Sequence, residues 1–517
     1  MVLLDTKVKL PFLWGKAVFK KSHWPQINLI VGPNGSGKTL LAQSLSEQFE
    51  QAGFSVRFIS EARQNQQEQL YLLKTNKTIR TKIEKVLSDM FGKTIIFIED
   101  INHELIPIVK NRAWNVEYML EDAECHGLRD IISLLVSLHT KKRHPGSLGE
   151  CLFFDEPELH LHPQFQSFFM NEIRKEVRHS SRRIFFLISH SPFFIDLRTS
   201  EDLTGVIACH TNTVPSTIET LSAEDENLFR RFLPRFNSYH KQFFFSDNQI
   251  FVEGYTDQQM FTHLLPFISN QSDAAGTGII DVGGKDELGV FCKVCALLGT
   301  NSRIITDLDS LFSGKLRDVF CDDIRVKQWL EKQRDKQDSF YRTFFTPKEM
   351  HGDITMAKLI YVFERMLIAV GKELTDSPPA AASPRLKLLI TKLCFLLEKH
   401  NNAENVDTYK TVLLQGINTI QDEIAAFITP KTAATLPVIK NLAAYILAGA
   451  EAARVYILPR GCIEHYYTRS DIQYMPVSAK DKLFRMELEY IQTAARRSVR
   501  ASFRELITIL EKACSKA

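Results

Sequence analysis

Four things are scarce or missing in this chain, and each narrows what it can be. Charge of one sign is missing: 64 Lys+Arg against 61 Asp+Glu leave a net +3 over 517 residues. Such a balance neither demands nor excludes nucleic acid, because a small net charge can hide a basic groove. A disulfide framework is missing too, since the nine cysteines are odd in number and scattered, which predicts a reducing compartment. Cys292 and Cys295 have CxxC spacing but sit in an apolar helical pattern, Phe291–Leu298, that reads as buried thiols rather than a zinc site. The first residues, Met1–Lys7, show neither the charged nor the apolar region of a signal peptide. No apolar run approaches the ~18 residues that would span a bilayer. Together these predict a cytoplasmic protein without membrane contact. Hydrophobic content of 44% and charged content of 24% are those of a globular chain, and the length predicts two domains, with room for a third.

What is present begins with Gly32-Pro-Asn-Gly-Ser-Gly-Lys-Thr39, between an apolar run, Ile27–Val31, and a helical pattern, Leu40–Leu45. This is the spacing of a phosphate-binding loop. Backbone N–H groups of Asn34, Gly35, Ser36 and Gly37 curl around a phosphate, Lys38 reaches the β/γ-phosphates and the Thr39 hydroxyl takes Mg²⁺. A bare glycine-rich turn is the alternative, and the match over the whole motif disfavours it. Further on, Cys151-Leu-Phe-Phe-Asp155-Glu156 is a buried strand delivering two carboxylates to its end. Asp155 there holds the metal or its waters, and Glu156 activates a hydrolytic water. A third strand, Ile184–Ser189, ends at His190, which is placed to meet a γ-phosphate. Ser55–Ser60 and Thr94–Glu99 also read as buried strands, while Gln64–Gln69 reads as a surface excursion.

The stretch Asp155-Glu-Pro-Glu-Leu-His-Leu-His-Pro163, with Ile188-Ser-His-Ser-Pro192, resembles the ABC-type ATPases of recombination and DNA repair. The resemblance implies two heads sharing their ATP sites, with His160 and His162 in the loop at the dimer interface. The candidate for the signature loop that completes the partner's site is Glu124–Leu135; Gly127 and the apolar helix fit, and the usual serine is absent. Slow turnover, or ATP binding used as a gate, is compatible with that departure.

Near residue 240 the pattern changes. Strand Gln249–Val252 leads to Glu253, with Asp257 one helical turn on; strand Gly278–Val282 leads to Gly283-Gly-Lys285; strand Arg303–Thr306 ends in Asp307-Leu-Asp309. Residues two apart on extended backbone project to one side, so Asp307 and Asp309 can share a cation. Strand–helix alternation implies a parallel sheet with ligands at the carboxyl ends of its strands. Carboxylates gathered there repel unless divalent metals offset them. Any one of these acids alone reads as a solvated turn residue; their order at successive strand ends is the signal.

That order resembles the Toprim domain of topoisomerases, primases and certain nucleases. ATPase first and Toprim second resembles the OLD (overcoming lysogenization defect) family of ATP-dependent nucleases. The implied fold class is α/β: an ABC-type P-loop ATPase domain over 1–240, then a Toprim domain, a Rossmann-like parallel sheet, over 241–517, with a helical insertion about 325–450. The resemblance implies a further acid, Glu464, as metal ligand after the strand at Val455–Leu458, and a late lysine, Lys480 or Lys482. Helical spacing over Ile354–Val370, Leu386–His400 and Lys410–Phe427 marks the insertion, with a loop at Asp376–Pro384. Arg496, Arg500 and Arg504 recur every four residues, a solvated or phosphate-contacting helix face.

The expected function is metal-dependent DNA cleavage coupled to ATP. Glu253 acts as general base or shared ligand, Asp257, Asp307, Asp309 and Glu464 are further ligands, and Lys285 lies near the scissile phosphate. Cofactors are ATP and Mg²⁺, with Mn²⁺ as substitute. Partners are DNA, a second copy in a homodimer or higher homo-oligomer, and in antiphage systems a helicase or a reverse transcriptase with its RNA. The alternative is an ATP-dependent DNA sensor or clamp without its own cleavage activity, and a third reading is nucleotidyl transfer of the primase type.

Overall fold

A computed structural model of the chain describes residues 2–515 except 16, 61–65, 101–104, 112, 120–127, 143, 181, 212, 238–239, 247, 301, 313, 335–337, 347–349, 351–352, 377–381, 399–402 and 470–479. The start of the expected signature loop, Glu124–Gly127, most of the Asp376–Pro384 loop and the beginning of the Gln-rich excursion lie outside the described residues. The chain divides into two compact units, Met1–Asp247 with Leu297–Thr300, and Asn248–Ala296 with Asn301–Ala517.

The first unit opens with an antiparallel pair, β1 (Val2–Lys9) and β2 (Val18–Trp24), joined through a 3-10 turn at Phe12–Trp14. Its main sheet takes β3 (Ile27–Val31), β4 (Ser55–Ile59), β8 (Glu150–Asp155), β9 (Arg183–Ser189), β10 (Val206–Ala208) and β11 (Ser216–Thr217) in the order β11-β10-β3-β9-β8-β4. All pairs are parallel except β10 with β11. β8 and β9 are buried at every residue, because both faces of a parallel sheet are covered and unbroken apolar runs fit such strands. Phe153 and Phe186 stack at 4.2 Å and Phe49 meets Phe186 at 5.3 Å, fixing helix Lys38–Gln51 to the sheet. Truncating Phe186 to alanine removes that anchor, at about 3–5 kcal/mol.

Thr94–Glu99 is a strand, as read, but the expectation that it is buried throughout is corrected. That segment is β5, which with β6 (Leu105–Asn111) and β7 (Val116–Met119) forms a separate antiparallel sheet, and its burial alternates, as in a strand with one covered face.

The second unit is built on four parallel strands, β12 (Asn248–Val252), β13 (Thr277–Asp281), β14 (Ser302–Thr306) and β15 (Val455–Ile457), ordered β13-β12-β14-β15. The stretch between β14 and β15 is helical. Met356–Asp376 packs on Leu436–Ala452, and Pro384–Glu398 packs on Ala403–Phe427, which kinks at Ile420. Helix Leu436–Ala452 escaped the sequence reading, and it also corrects the statement about apolar runs: Pro430–Ala452 is long and apolar enough to cross a bilayer. In the fold it lies against other helices and β15, with Leu436, Ile439, Leu442, Ile446 and Ala450 buried. The arginine stripe is corrected as well. Phe503 leaves helical geometry, so Arg496 and Arg500 ride on helix Arg496–Ser502 while Arg504 begins the next helix. Arg496 and Arg500 hold the chain near Pro266–Ser269, bonding Pro266 O at 2.7 Å and Ser269 Oγ at 2.9 Å.

Candidate functional site

In the first unit the loop after β3 is shaped by glycines at positive φ: Gly35 at 78° and Gly37 at 81°. A Cβ on Gly37 would stand 2.5 Å from the Trp14 ring, so only glycine fits beneath the Phe12–Trp14 turn. Lys38 Nζ donates to the carbonyls of Gly32 and Pro33, both at 3.0 Å. Burial lowers its pKa, opposed by Cys209, Glu156, Glu158 and Asp155 nearby. Thr39 Oγ1 donates to Asp155 Oδ1 at 3.1 Å, which joins the two motifs through the groups expected to share a metal. The Ser36 hydroxyl is buried and has no hydrogen-bond partner among the described residues, which suits a ligand oxygen.

Glu156 sits at φ 45°, just past β8, and its Oε1 lies 3.7 Å from His190 Nδ1. Buried Glu158 accepts from Ser189 Oγ and from His190 N, both at 2.8 Å. Asn34, Gly35, Ser36, Gly37, Lys38, Thr39, Asp155, Glu156 and His190 therefore fall on the loop after β3 or at the carboxyl ends of the neighbouring β8 and β9. His160 Nδ1 lies 2.8 Å from Asp130 Oδ2, and His162 caps helix Pro163–His179.

In the second unit β12 pairs with β13 on one side and β14 on the other, so the crossover from β12 to β13 runs one way along the sheet and the next, from β13 to β14, runs back past β12. A crevice opens at the carboxyl ends of strands at such a switch point. Glu253 follows β12 and Asp307 follows β14, on its two sides. They are tied together: Asp307 N donates to Glu253 Oε1 at 2.9 Å, and Thr306 Oγ1 donates to the same oxygen at 2.5 Å. Asp257, in the first turn of helix Tyr255–Leu264, accepts from Gly254 N at 3.1 Å. Asp309 Oδ2 accepts from Lys285 Nζ at 2.9 Å while its Oδ1 is buried without a partner. Glu464, on the 3-10 turn Ile463–Tyr466 after β15, pairs with Lys480 Nζ at 2.7 Å. Of the two late lysines of the sequence reading, Lys480 makes this contact.

The acids feel one another. Asp307 is driven well above the usual carboxylate range, by burial first and then by Glu253, Asp257, Asp309 and Glu464. Burial, Glu253 and Glu464 push Asp257 up to about 7. Glu253 is raised by burial, against its bonds from Thr306 and Asp307. Glu464 alone is shifted downward, because its bonds from Cys462 and Lys480 outweigh burial. Among the described residues no three His, Cys, Asp or Glu side chains stand ready-made around an ion. The donor set still fits a hard divalent cation: every candidate ligand is a carboxylate, and Asp309 Oδ1 lacks a partner.

Comparison with known families now decides the assignment. A family profile described as "Overcoming lysogenization defect protein-like, TOPRIM domain" matches residues 244–309, and one described as "AAA ATPase domain" matches residues 47–195. The chain is an ATPase domain fused to an OLD-like TOPRIM domain. The SMC head domain from Thermotoga maritima is a similar solved structure, at 12% identity over 43% of this chain and 100% of that one; its TM-score of 0.29 carries no argument. No curated relative matches.

The TOPRIM match takes in Glu253, Asp257, Lys285, Asp307 and Asp309 and stops before Glu464 and Lys480, which rest on geometry. The ATPase match begins beyond the Gly32–Thr39 loop, so that loop rests on its motif and its contacts with Asp155. Sequence reasoning passed over several groups of the two domains. Thr306 and Ser310 orient the TOPRIM Glu253, at 2.5 and 3.4 Å, and Ser189 orients the ATPase Glu158. Hydroxyls one residue from a motif carry no signal of their own. Trp14 is separated from its neighbour Gly37 by β2 and β3, and nothing local marks that contact.

Proposed function

We propose that the chain is an ATP-gated, metal-dependent DNA endonuclease of the OLD type, acting in the cytoplasm of bacteria in defence against phage. Residues 1–240 form its ATPase domain and 241–517 its nuclease domain. The observation that carries the reading is the gathering of acids at the strand ends: Asp307, half-buried just past β14 and tied through its amide to Glu253, has its ionisation opposed by four other acids. A fold keeps such a group where an external cation completes it.

Glu253, Asp257, Asp307, Asp309 and Glu464 hold Mg²⁺, or Mn²⁺ in its place. Divalent cations there supply positive charge to the attacking and leaving oxygens of a phosphodiester. Glu253, oriented by Thr306 and the Asp307 amide, takes the proton of the attacking water. Lys285 meets the phosphate. In the ATPase domain Asn34–Thr39 bind the phosphates of ATP, Asp155 and Thr39 hold its Mg²⁺, Glu156 activates water and His190 meets the γ-phosphate. A second copy completes that site, so the particle is a homodimer or larger.

The test is cleavage of supercoiled plasmid and single-stranded DNA with Mg²⁺ or Mn²⁺, with and without ATP. Metal-dependent nicking by the native chain, lost in Asp307→Ala/Asp309→Ala, is expected. Native and variant proteins that bind DNA alike and leave it intact would overturn the reading in favour of a clamp. Lys38→Ala is expected to lower ATP hydrolysis about 100-fold or more, read as phosphate release.

A further inference from the structure

Two lysines stand among the acids of the TOPRIM domain. Lys285 is the first residue of helix Lys285–Leu297, where the partial positive charge of the helix N-terminus disfavours a cation, and it offsets that cost by reaching Asp309 at 2.9 Å. Lys480, on helix Lys480–Thr493, reaches Glu464 at 2.7 Å. Neither is locked in place: their side chains are 30% and 57% exposed. Both stems are long and flexible.

We propose that Lys285 and Lys480 are resident counter-cations of the acid cluster, which hold Asp309 and Glu464 while the site lacks metal and move to DNA phosphate once divalent cations take their place. The proposal rests on the nuclease reading and adds a regulatory step to it. While each ammonium group sits on a carboxylate oxygen that a divalent cation would take, it is withheld from a phosphodiester. Asp309 shows the arrangement in miniature, with Oδ2 on the lysine and Oδ1 buried without a partner. Metal binding frees two ammonium groups beside a cluster whose charge has just been offset. Loading of metal and affinity for DNA are thereby linked, and the empty enzyme does not engage DNA at this site.

Calorimetric titration of Mn²⁺ into the full chain tests this, comparing native protein with Lys285→Met, Lys480→Met and Lys480→Arg. Removing a competing cation tightens Mn²⁺ binding, by roughly threefold for each methionine variant, the scale of a half-exposed ion pair. Lys480→Arg keeps the cation and stays near native. With Ca²⁺ as a probe that occupies carboxylate sites, both methionine variants bind a fluorescent DNA duplex more weakly than native protein does. Mn²⁺ affinity that is unchanged or weaker in the methionine variants overturns the proposal and leaves the nuclease reading standing; so does DNA affinity equal to native. A native chain that binds no Mn²⁺ overturns both. Thermal melts of each variant confirm that it is folded, and the other methionine variant carries the test if one is not.

Discussion

Two acids, one in each domain, have been treated in opposite ways by the fold. Glu176 of the ATPase domain has three partners, Arg183 at 3.0 Å, His139 at 3.2 Å and Lys82 at 2.5 Å. Burial opposes its ionisation, yet the bonds from His139 and Lys82 hold it down at about 2. Asp257 of the TOPRIM domain is pushed up to about 7, by burial and by the acids around it. Glu176 lies near Arg183, at the amino end of β9, where Arg183 also pairs with Glu150 at 2.9 Å. Asp257 lies by the carboxyl end of β12. Glu176 is neutralised by partners within the protein, whereas Asp257 faces other acids, the pattern expected of a group kept for function.

The largest effect that sharpens this contrast is on chemistry. Asp307→Ala/Asp309→Ala should lower cleavage at least about 100-fold, while Glu176→Gln should leave cleavage by the folded protein unchanged in a plasmid assay. On stability the order reverses. Glu176→Gln strips Arg183 and Lys82 of their buried partner and should cost about 3 kcal/mol in a urea melt. Asp257→Asn removes a repelling acid and should raise the melting temperature of the metal-free protein.

The pH dependence of stability separates the two acids by sign. Asp257 has a folded pKa above its ordinary value of 3.8. The folded state therefore holds a proton that the unfolded chain gives up, and stability falls as pH rises from about 4 to about 7, by at most about 4 kcal/mol. Glu176 has a folded pKa below its ordinary 4.5, so its contribution is present above that pH and is lost as pH falls toward about 2. Hydrogen exchange followed separately in the two domains over these windows should show opposite trends, and Mg²⁺ should flatten the one in the TOPRIM domain only. The smallest expected effect is at Thr306, whose hydroxyl donates to Glu253 Oε1. Thr306→Val should cost about 1 kcal/mol and weaken Mn²⁺ binding several-fold, as seen by calorimetry.

How much of this was legible follows from where the signal sits along the chain. Strand ends are local in sequence, so Gly32–Thr39, Asp155, Glu253 and Asp307 could be read from an apolar run followed by a glycine or an acid. The sheet order that gathers them is not local. Thr94–Glu99 has the composition of a buried strand, and only its pairing with Leu105–Asn111 places it in another sheet. The arginine period looked like one helix face because spacing does not report the break at Phe503. Lys480 and Lys482 are equivalent in composition; the contact with Glu464 separates them. Helix Leu436–Ala452 buries one face, but its exposed positions, Pro437, Asn441 and Ala444, include only one strongly polar side chain, so its helical period is faint in the sequence.

The most direct test of the account is the number of Mn²⁺ ions held by the nucleotide-free chain, counted by electron paramagnetic resonance of free Mn²⁺. The account predicts bound Mn²⁺ in the native protein, retained in Lys38→Ala and lost in Asp307→Ala/Asp309→Ala. Equal binding by the native chain and the double variant would contradict it.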